Sequence, residues 1–320
     1  MKNYKYLLGL LILIALKCFA FSNITNYTNT FIPLYTKTGN LRIAIRYFTN
    51  NQKNYFLVVN PRTFKTEVVK TGILYARDPK TNFEENPGYF KWKQIKETPY
   101  VKDLLKFTKW QGNIQDAGIT HSLYSKTGYF LTVDMCPSNR PFEKDFYHKL
   151  VSIAKLERKP FPVAICISGL WIMGHAQEFN YLLDAEKNHK LNITWVNHTL
   201  SHLYFSDLAF EKNFVLFKFT DVKNEIFGVE KLLLAHNLIP SVFIRFPGLV
   251  ANRNLLLQIQ KLGLIPLGTD AWLAMGQVPK NGSIILVHGN SNEHPGIEKI
   301  IPILNDHQIK WLPLKEAVAS

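Results

Sequence analysis

From Tyr129 to the C-terminus, short apolar runs alternate with stretches whose apolar residues recur every three or four positions. That alternation restricts the chain to folds built from βα units around a largely parallel sheet. The runs cover residues 129–133, 163–167, 193–196, 242–245, 265–267, 284–287 and 309–312. Between them, Phe142, Phe146, Leu150, Val151 and Ala154 share one helical face, as do Ile226, Val229, Leu232 and Leu233. Seven strands with intervening helices predict an α/β fold, an incomplete (β/α)7-type barrel rather than a closed eight-stranded one.

The preceding residues read differently. Period-two, aromatic-rich runs at 41–48 and 55–59 flank a polar turn at 49–54, which predicts a β-hairpin, with a third strand at 66–69 and a loop at 78–88. This β-rich N-terminal extension, residues 21–125, carries no recognisable chemistry; it can brace the barrel, lengthen a binding groove or engage a partner. Ahead of it, Lys2 and Lys5 precede an apolar run at 7–16 that ends in Cys18-Phe19-Ala20, the pattern of a signal peptide over residues 1–20. The run falls short of the roughly 20 residues that cross a bilayer, so no stable transmembrane span is expected after cleavage. The mature protein, with its main domain at 126–320, is expected to be secreted, periplasmic or in the cell envelope.

Formal net charge is +14, and three of those charges, Lys2, Lys5 and Lys17, leave with the signal. The remaining lysines are scattered rather than clustered with aromatics on one element, which argues against nucleic acid as a partner and leaves two readings, a biased composition that happens to be basic or attraction to an anionic cell envelope. Only Cys136 and Cys166 remain after cleavage, too few for a disulfide-built fold.

In barrels of this type, residues just past the C-terminal strand ends converge on one rim. There the chain carries Asp134-Met135-Cys136-Pro137, His198-Thr199-Leu200-Ser201-His202, Arg245-Phe246-Pro247-Gly248, Asp270-Ala271-Trp272 and Leu286-Val287-His288. His198 and His202, one helical turn apart, can hold one divalent cation, although a catalytic zinc site usually takes three protein ligands. Asp134, directly after an apolar strand, suits a base, a metal ligand or the partner of a cation such as Arg245. Asp270 is positioned in sequence to orient His288 as a general acid.

Taken together and in this order, these segments resemble the polysaccharide deacetylase family, the NodB-homology or carbohydrate esterase family 4 group, over residues 129–320. Thr132-Val133-Asp134-Met135-Cys136-Pro137 follows the first motif, T-F-D-D-G-P, in outline. His198 to His202 fits the second, H-[ST]-x-x-H, in full. Arg245-Phe246-Pro247 meets the third, with Gly248 where an aromatic is usual. Asp270 and Trp272 resemble the fourth, and Leu286-Val287-His288 fits the fifth, L-x-H.

The resemblance implies a hydrolase that removes N-acetyl groups from an N-acetylated polysaccharide such as peptidoglycan, a chitin-like polymer or poly-N-acetylglucosamine. It implies a divalent metal, zinc with cobalt or nickel as alternatives, on His198 and His202. Asp134 becomes the base, steadied by Arg245; His288, oriented by Asp270, the acid; the Gly248 N–H an oxyanion donor; and Trp272 and Leu286 the walls of the acetyl pocket. One position departs from the pattern. Met135 stands where the family has a second, metal-binding aspartate, and a thioether is a poor zinc ligand. Cys136 is a candidate replacement that its chain position is expected to aim elsewhere, so the third ligand stays open. The alternative function is a glycan-binding pseudoenzyme.

Overall fold

Strands of a parallel sheet covered on both faces are predominantly apolar, and three of the four longer ones here are buried along their whole length: β5 (Phe130–Met135), β6 (Phe161–Ile167) and β11 (Ile284–His288). In the computed structural model, which describes residues 23–76, 92–93, 95–124 and 127–318, they lie in a seven-stranded sheet. Its order is β10 (Ala271–Trp272), β11, β5, β6, β7 (Leu191–Asn197), β8 (Phe243–Ile244) and β9 (Ile265–Pro266), and every pairing is parallel. The expected incomplete barrel is therefore present. The residues read as signal peptide and as the 78–88 loop lie outside the described residues.

One expected strand is replaced. Residues 309–312 do not join the sheet; Trp311 makes only an isolated bridge to Tyr129. Both edges of β5 are already taken, by β11 and β6, and Pro313 follows at once with no N–H to donate. The seventh strand is instead β10, two residues long and too short to leave a periodic signature.

The pleat sorts side chains between two cores. Leu131, Val133 and Met135 point outward and pack with Ile165, Ile167, Ile285 and Val287 against α2 (Lys144–Glu157), α3 (Gly169–Gly174) and α4 (Ala176–Lys187), through Phe146, Leu150, Trp171 and Leu182. Phe130, Ala164, Cys166, Val196, Phe243 and Ile284 point inward and fill the barrel.

The leader closes that interior. Strands β1 (Ile24–Tyr35), β2 (Leu41–Asn50), β3 (Lys53–Val59) and β4 (Thr66–Lys70) form an antiparallel meander. The expected hairpin is β2–β3, joined by Asn51 and Gln52, both in the left-handed region as a tight two-residue turn requires. Ile43, Ile45, Leu57 and Val59 share one core with the inward barrel residues. Buried Arg46 binds buried Glu230 of α5 (Val222–Ala235) through two N–H groups, at 2.7 and 2.8 Å, and also donates to the Leu262 carbonyl. Tyr27 donates to the same carboxylate. Helix α1 (Pro99–Phe107) places the Tyr100 hydroxyl on the Gly263 carbonyl.

Between β9 and β10 the ring is open, and residues 115–123 run along the gap. Ile119 exchanges backbone hydrogen bonds with Pro266 and Gly268, Asp116 donates to Leu249, and Ser122 donates to Gly282. Gly118 permits the approach: its φ is +104°, and a Cβ there would lie 2.1 Å from the Pro266 carbonyl oxygen.

Candidate active site

The inward half of the pleat carries β5 to its chemistry. Asp134 points into the barrel beside His288, its register partner on β11. Met135 points out, buried in the outer core, with its sulfur accepting from the Tyr147 hydroxyl at 3.1 Å. Cys136 then turns back inward, its Sγ 3.4 Å from His198 Nε2. This corrects the expectation that Cys136 is aimed elsewhere: alternation sends the motif's fourth residue to the core and its fifth to the cleft.

His198 directly follows β7 and is buried. Its Nδ1–H meets the Arg245 carbonyl at 2.8 Å, leaving the Nε2 lone pair toward Cys136 and, at 3.9 Å, Asp134 Oδ2. His202 is brought alongside, ring centroids 4.8 Å apart. No helical turn does this, contrary to expectation. Thr199 and His202 are both in the left-handed region, and the tight loop is held by Asn197 Oδ1 on the Thr199 N–H and by Glu225 on the backbone and hydroxyl of Ser201. The donor atoms of Cys136, His198 and His202 all lie within 4.8 Å of one another.

Arg245, fully buried after β8, reaches Asp134 Oδ1 at 3.4 Å and ties itself to the Thr132 hydroxyl and the Gly268 carbonyl. Burial alone would raise the Asp134 pKa, but Arg245, His198 and His288 together hold it below the usual carboxylate range. The Cys166 thiol faces the same carboxylate and stays protonated, raised first by burial and then by Asp134. Burial lowers His198, which remains a neutral imidazole. Burial opposes the charged forms of Cys136 and His288 as well, yet the pair reverses it. Cys136, facing His202 and His288, falls to about 6, and His288, facing Cys136 and Glu293, rises well above the ordinary imidazole value.

The partner expected for His288 is a different residue. Asp270 accepts from His121 Nδ1 at 2.7 Å and from the Ile284 N–H at 3.1 Å. It therefore sits level with the start of β11, four residues and roughly 13 Å of strand below His288. Glu293, in the loop after β11, takes its place: its Oε2 is 3.0 Å from His288 Nδ1 and accepts from Trp272 Nε1 at 2.6 Å.

Gly248 has φ +62°, and its carbonyl accepts from the Gln115 side chain. The edge of the Phe214 ring lies 2.5 Å from where its Cβ would stand, so an aromatic from the 205–217 loop fills the space a larger residue at 248 would claim. Asp134, His198, His202, Gly248, Trp272, Leu286 and His288 line one cleft of about 650 Å³, joined by Cys136, Gln115, Phe214 and Glu293. Of the site residues expected from sequence, two do not line it: Arg245 is buried behind Asp134, and Asp270 lies lower, level with the start of β11. Three participants carry no signal in the sequence, and a fourth, Cys136, is read there only as a candidate ligand expected to point elsewhere. Cys136 was accessible from the period-two count through β5; Glu293, Gln115 and Phe214 sit in irregular segments with no pattern to mark them.

Residues 25–101 match the family model described as RP012 protein N-terminal domain. Among solved structures, a family 4 carbohydrate esterase from Bacillus anthracis is 20% identical over 68% of this chain and 91% of its own, with a TM-score of 0.45. A CE4 family pseudoenzyme from the same organism is 12% identical over 69% and 80%, TM-score 0.44. The chitin deacetylase of the fungal pathogen Colletotrichum lindemuthianum is 15% identical over 63% and 91%, TM-score 0.44.

Proposed function

We propose that this chain is a metal-dependent hydrolase of the polysaccharide deacetylase kind, removing acetyl groups from the amide nitrogen of an N-acetylated polysaccharide. The observation that carries the reading is the meeting, from three strand ends, of Asp134, His198 and His288 in one cleft with His202, with Arg245 from a fourth strand end buried behind Asp134 at 3.4 Å. The residues also suit a cation: the His198 Nδ1–H is spent on a carbonyl, so its other nitrogen is a free donor, and His202 stands beside it. These histidines would hold zinc, with cobalt or nickel as alternatives, and the ion would supply Lewis acidity toward the acetamide carbonyl and toward water.

The chain's own groups do the rest. Asp134, kept ionised by Arg245, takes the proton of the attacking water, whose oxygen bonds to the acetyl carbon. The Gly248 N–H, freed of a side chain that Phe214 would exclude, donates to the developing oxyanion. As the carbon–nitrogen bond breaks, His288 passes its proton to the departing amine, leaving acetate and a free amino sugar. Glu293 holds His288 in place, while Leu286 and Trp272 wall the acetyl methyl.

Residues 1–20 are read as an export signal, so that the enzyme meets its glycan outside the cytoplasm. Residues 21–125 serve as a brace for the catalytic part at 126–320. No helix among the described residues is long and apolar enough to cross a membrane.

The test is acetate release from N-acetylated chito-oligosaccharides and from peptidoglycan. Metal-loaded protein is expected to release acetate, and Asp134→Asn to lose about 10²–10⁴-fold in kcat, the usual worth of a general base. His198→Ala is expected to abolish release. Glycan binding with no release by the folded, metal-loaded wild type supports a pseudoenzyme and overturns the reading.

A further inference from the structure

We propose that Cys136 is the third protein ligand of the metal, binding as a thiolate where a carboxylate would otherwise stand, and that the site therefore selects thiophilic ions over hard, oxygen-seeking ones. The inference rests on the reading of the cleft as a metal site, but not on its hydrolytic activity.

Four observations converge. First, Asp134 on β5 and Cys136, the residue just past its end, both face the cleft, while Met135 between them is committed to the outer core through Tyr147. Second, the cysteine and histidine donors are spaced for a common ion. Ligand bonds of about 2.3 Å for zinc–sulfur and 2.0–2.1 Å for zinc–nitrogen set a tetrahedral S···N edge of about 3.5 Å; Cys136 Sγ and His198 Nε2 stand 3.4 Å apart. The widest of the three separations, at most 4.8 Å, closes by little more than 1 Å, within reach of a rotation of His202, which is only partly buried and sits in an irregular loop. Third, the Arg245 carbonyl takes the Nδ1–H of His198, so the ring nitrogen that faces the sulfur is the one with a lone pair. Fourth, Asp134 is engaged by Arg245, which leaves the carboxylate for proton transfer rather than coordination.

Two imidazoles and one thiolate form a borderline-soft donor set. It suits zinc, cobalt(II) and cadmium, and it disfavours magnesium, calcium and manganese, which prefer oxygen. The open fourth position is the arrangement of a catalytic rather than a structural site. A competing role for Cys136 is that of a nucleophile activated by His288, with Glu293 behind it.

The experiment titrates metal-free full-length protein with cobalt(II), with zinc competition, and records the sulfur-to-cobalt charge-transfer band in the near ultraviolet. Wild type is expected to show the band at one equivalent and to lose it to zinc or cadmium but not to magnesium. Cys136→Ala is expected to lack the band and to bind cobalt more than about 10²-fold more weakly, beyond the 10–100-fold that loss of an outer-shell partner costs. Cys136→Asp is expected to bind without the band, which guards against a variant that merely misfolds. Iodoacetamide labelling, mapped by mass spectrometry to separate Cys136 from Cys166, is expected to slow at Cys136 when zinc is present.

Cobalt bound to wild type with no band, Cys136→Ala binding as tightly as wild type, or an acetyl group trapped on Cys136 in metal-free protein each overturns the proposal. Acetate release distinguishes the two readings. A band without release sinks the deacetylase and keeps the ligand; release with metal bound and no band does the reverse.

Discussion

Glu293 bridges Trp272 and His288, so one carboxylate both fixes a wall of the cleft and orients the imidazole that must surrender a proton. Glu293→Gln is expected to lower kcat for acetate release by about 10²-fold, the low end of what a general acid contributes, with KM changed little. Asp270→Asn is expected to leave kcat within about twofold, because Asp270 serves His121 rather than His288; the opposite ranking in steady-state kinetics would restore the expectation drawn from motif order. Away from the site, Asp103 on α1 is raised to about 6 by burial, against which nearby Lys106 works only weakly. A raised carboxylate destabilises the fold where both states are ionised and ceases to do so where both are protonated. Its cost is therefore full above pH about 6 and fades toward pH 4. Asp103→Asn is expected to stabilise the protein by about 1 kcal/mol at pH 7.5, after allowance for screening, with no gain near pH 4. Denaturant midpoints at the two pH values check this.

Between elements, the telling contact is the buried Arg46–Glu230 pair, which joins β2 to α5 across the seam between leader and barrel. Breaking one partner of such a pair strands a charge without solvent, whereas replacing both with apolar residues of similar volume can be neutral or better. Glu230→Ala is expected to cost about 3–5 kcal/mol in urea unfolding, and the double variant Arg46→Met, Glu230→Leu to recover most of it. An equal loss in single and double variants would mean that the hydrogen bonds of Arg46 to Leu262 and of Tyr27 to Glu230 matter more than the charge. Elsewhere in the sheet, β8, β9 and β10 are each two residues long and hold position because residues 115–123 and the outer helices supply the bonds and cover they lack.

At the scale of the whole molecule, the leader is part of the barrel's core. Removing it would expose Phe130, Ala164, Val196 and Phe243, which now pack with Ile43, Ile45, Leu57 and Val59, and would leave the gap between β9 and β10 unbridged. A chain beginning at residue 127 is expected to lack the near-ultraviolet circular dichroism of a packed protein, even if helical signal survives. A truncated chain with native tertiary signal and a cooperative transition would show the brace to be dispensable. Six of the seven strands, their largely parallel arrangement and the rim segments could be read directly from the residues, because apolar periodicity and motif spacing are local and survive in one dimension. The placement of Asp134, His198, Arg245 and His288 at the ends of apolar runs could be read the same way, whereas His202 is brought beside His198 by an irregular loop. The pairing of Asp270 with His121, the substitution of Glu293, the strand at 271–272 and the plug at 115–123 depend on register and on backbone crossings between segments far apart in the chain, and no local pattern encodes those. Cys136 lies between the two cases. Its inward direction follows from counting the pleat past Asp134, but its closeness to His198 exists only once β5 and β7 are drawn to opposite sides of β6 and curl into a barrel.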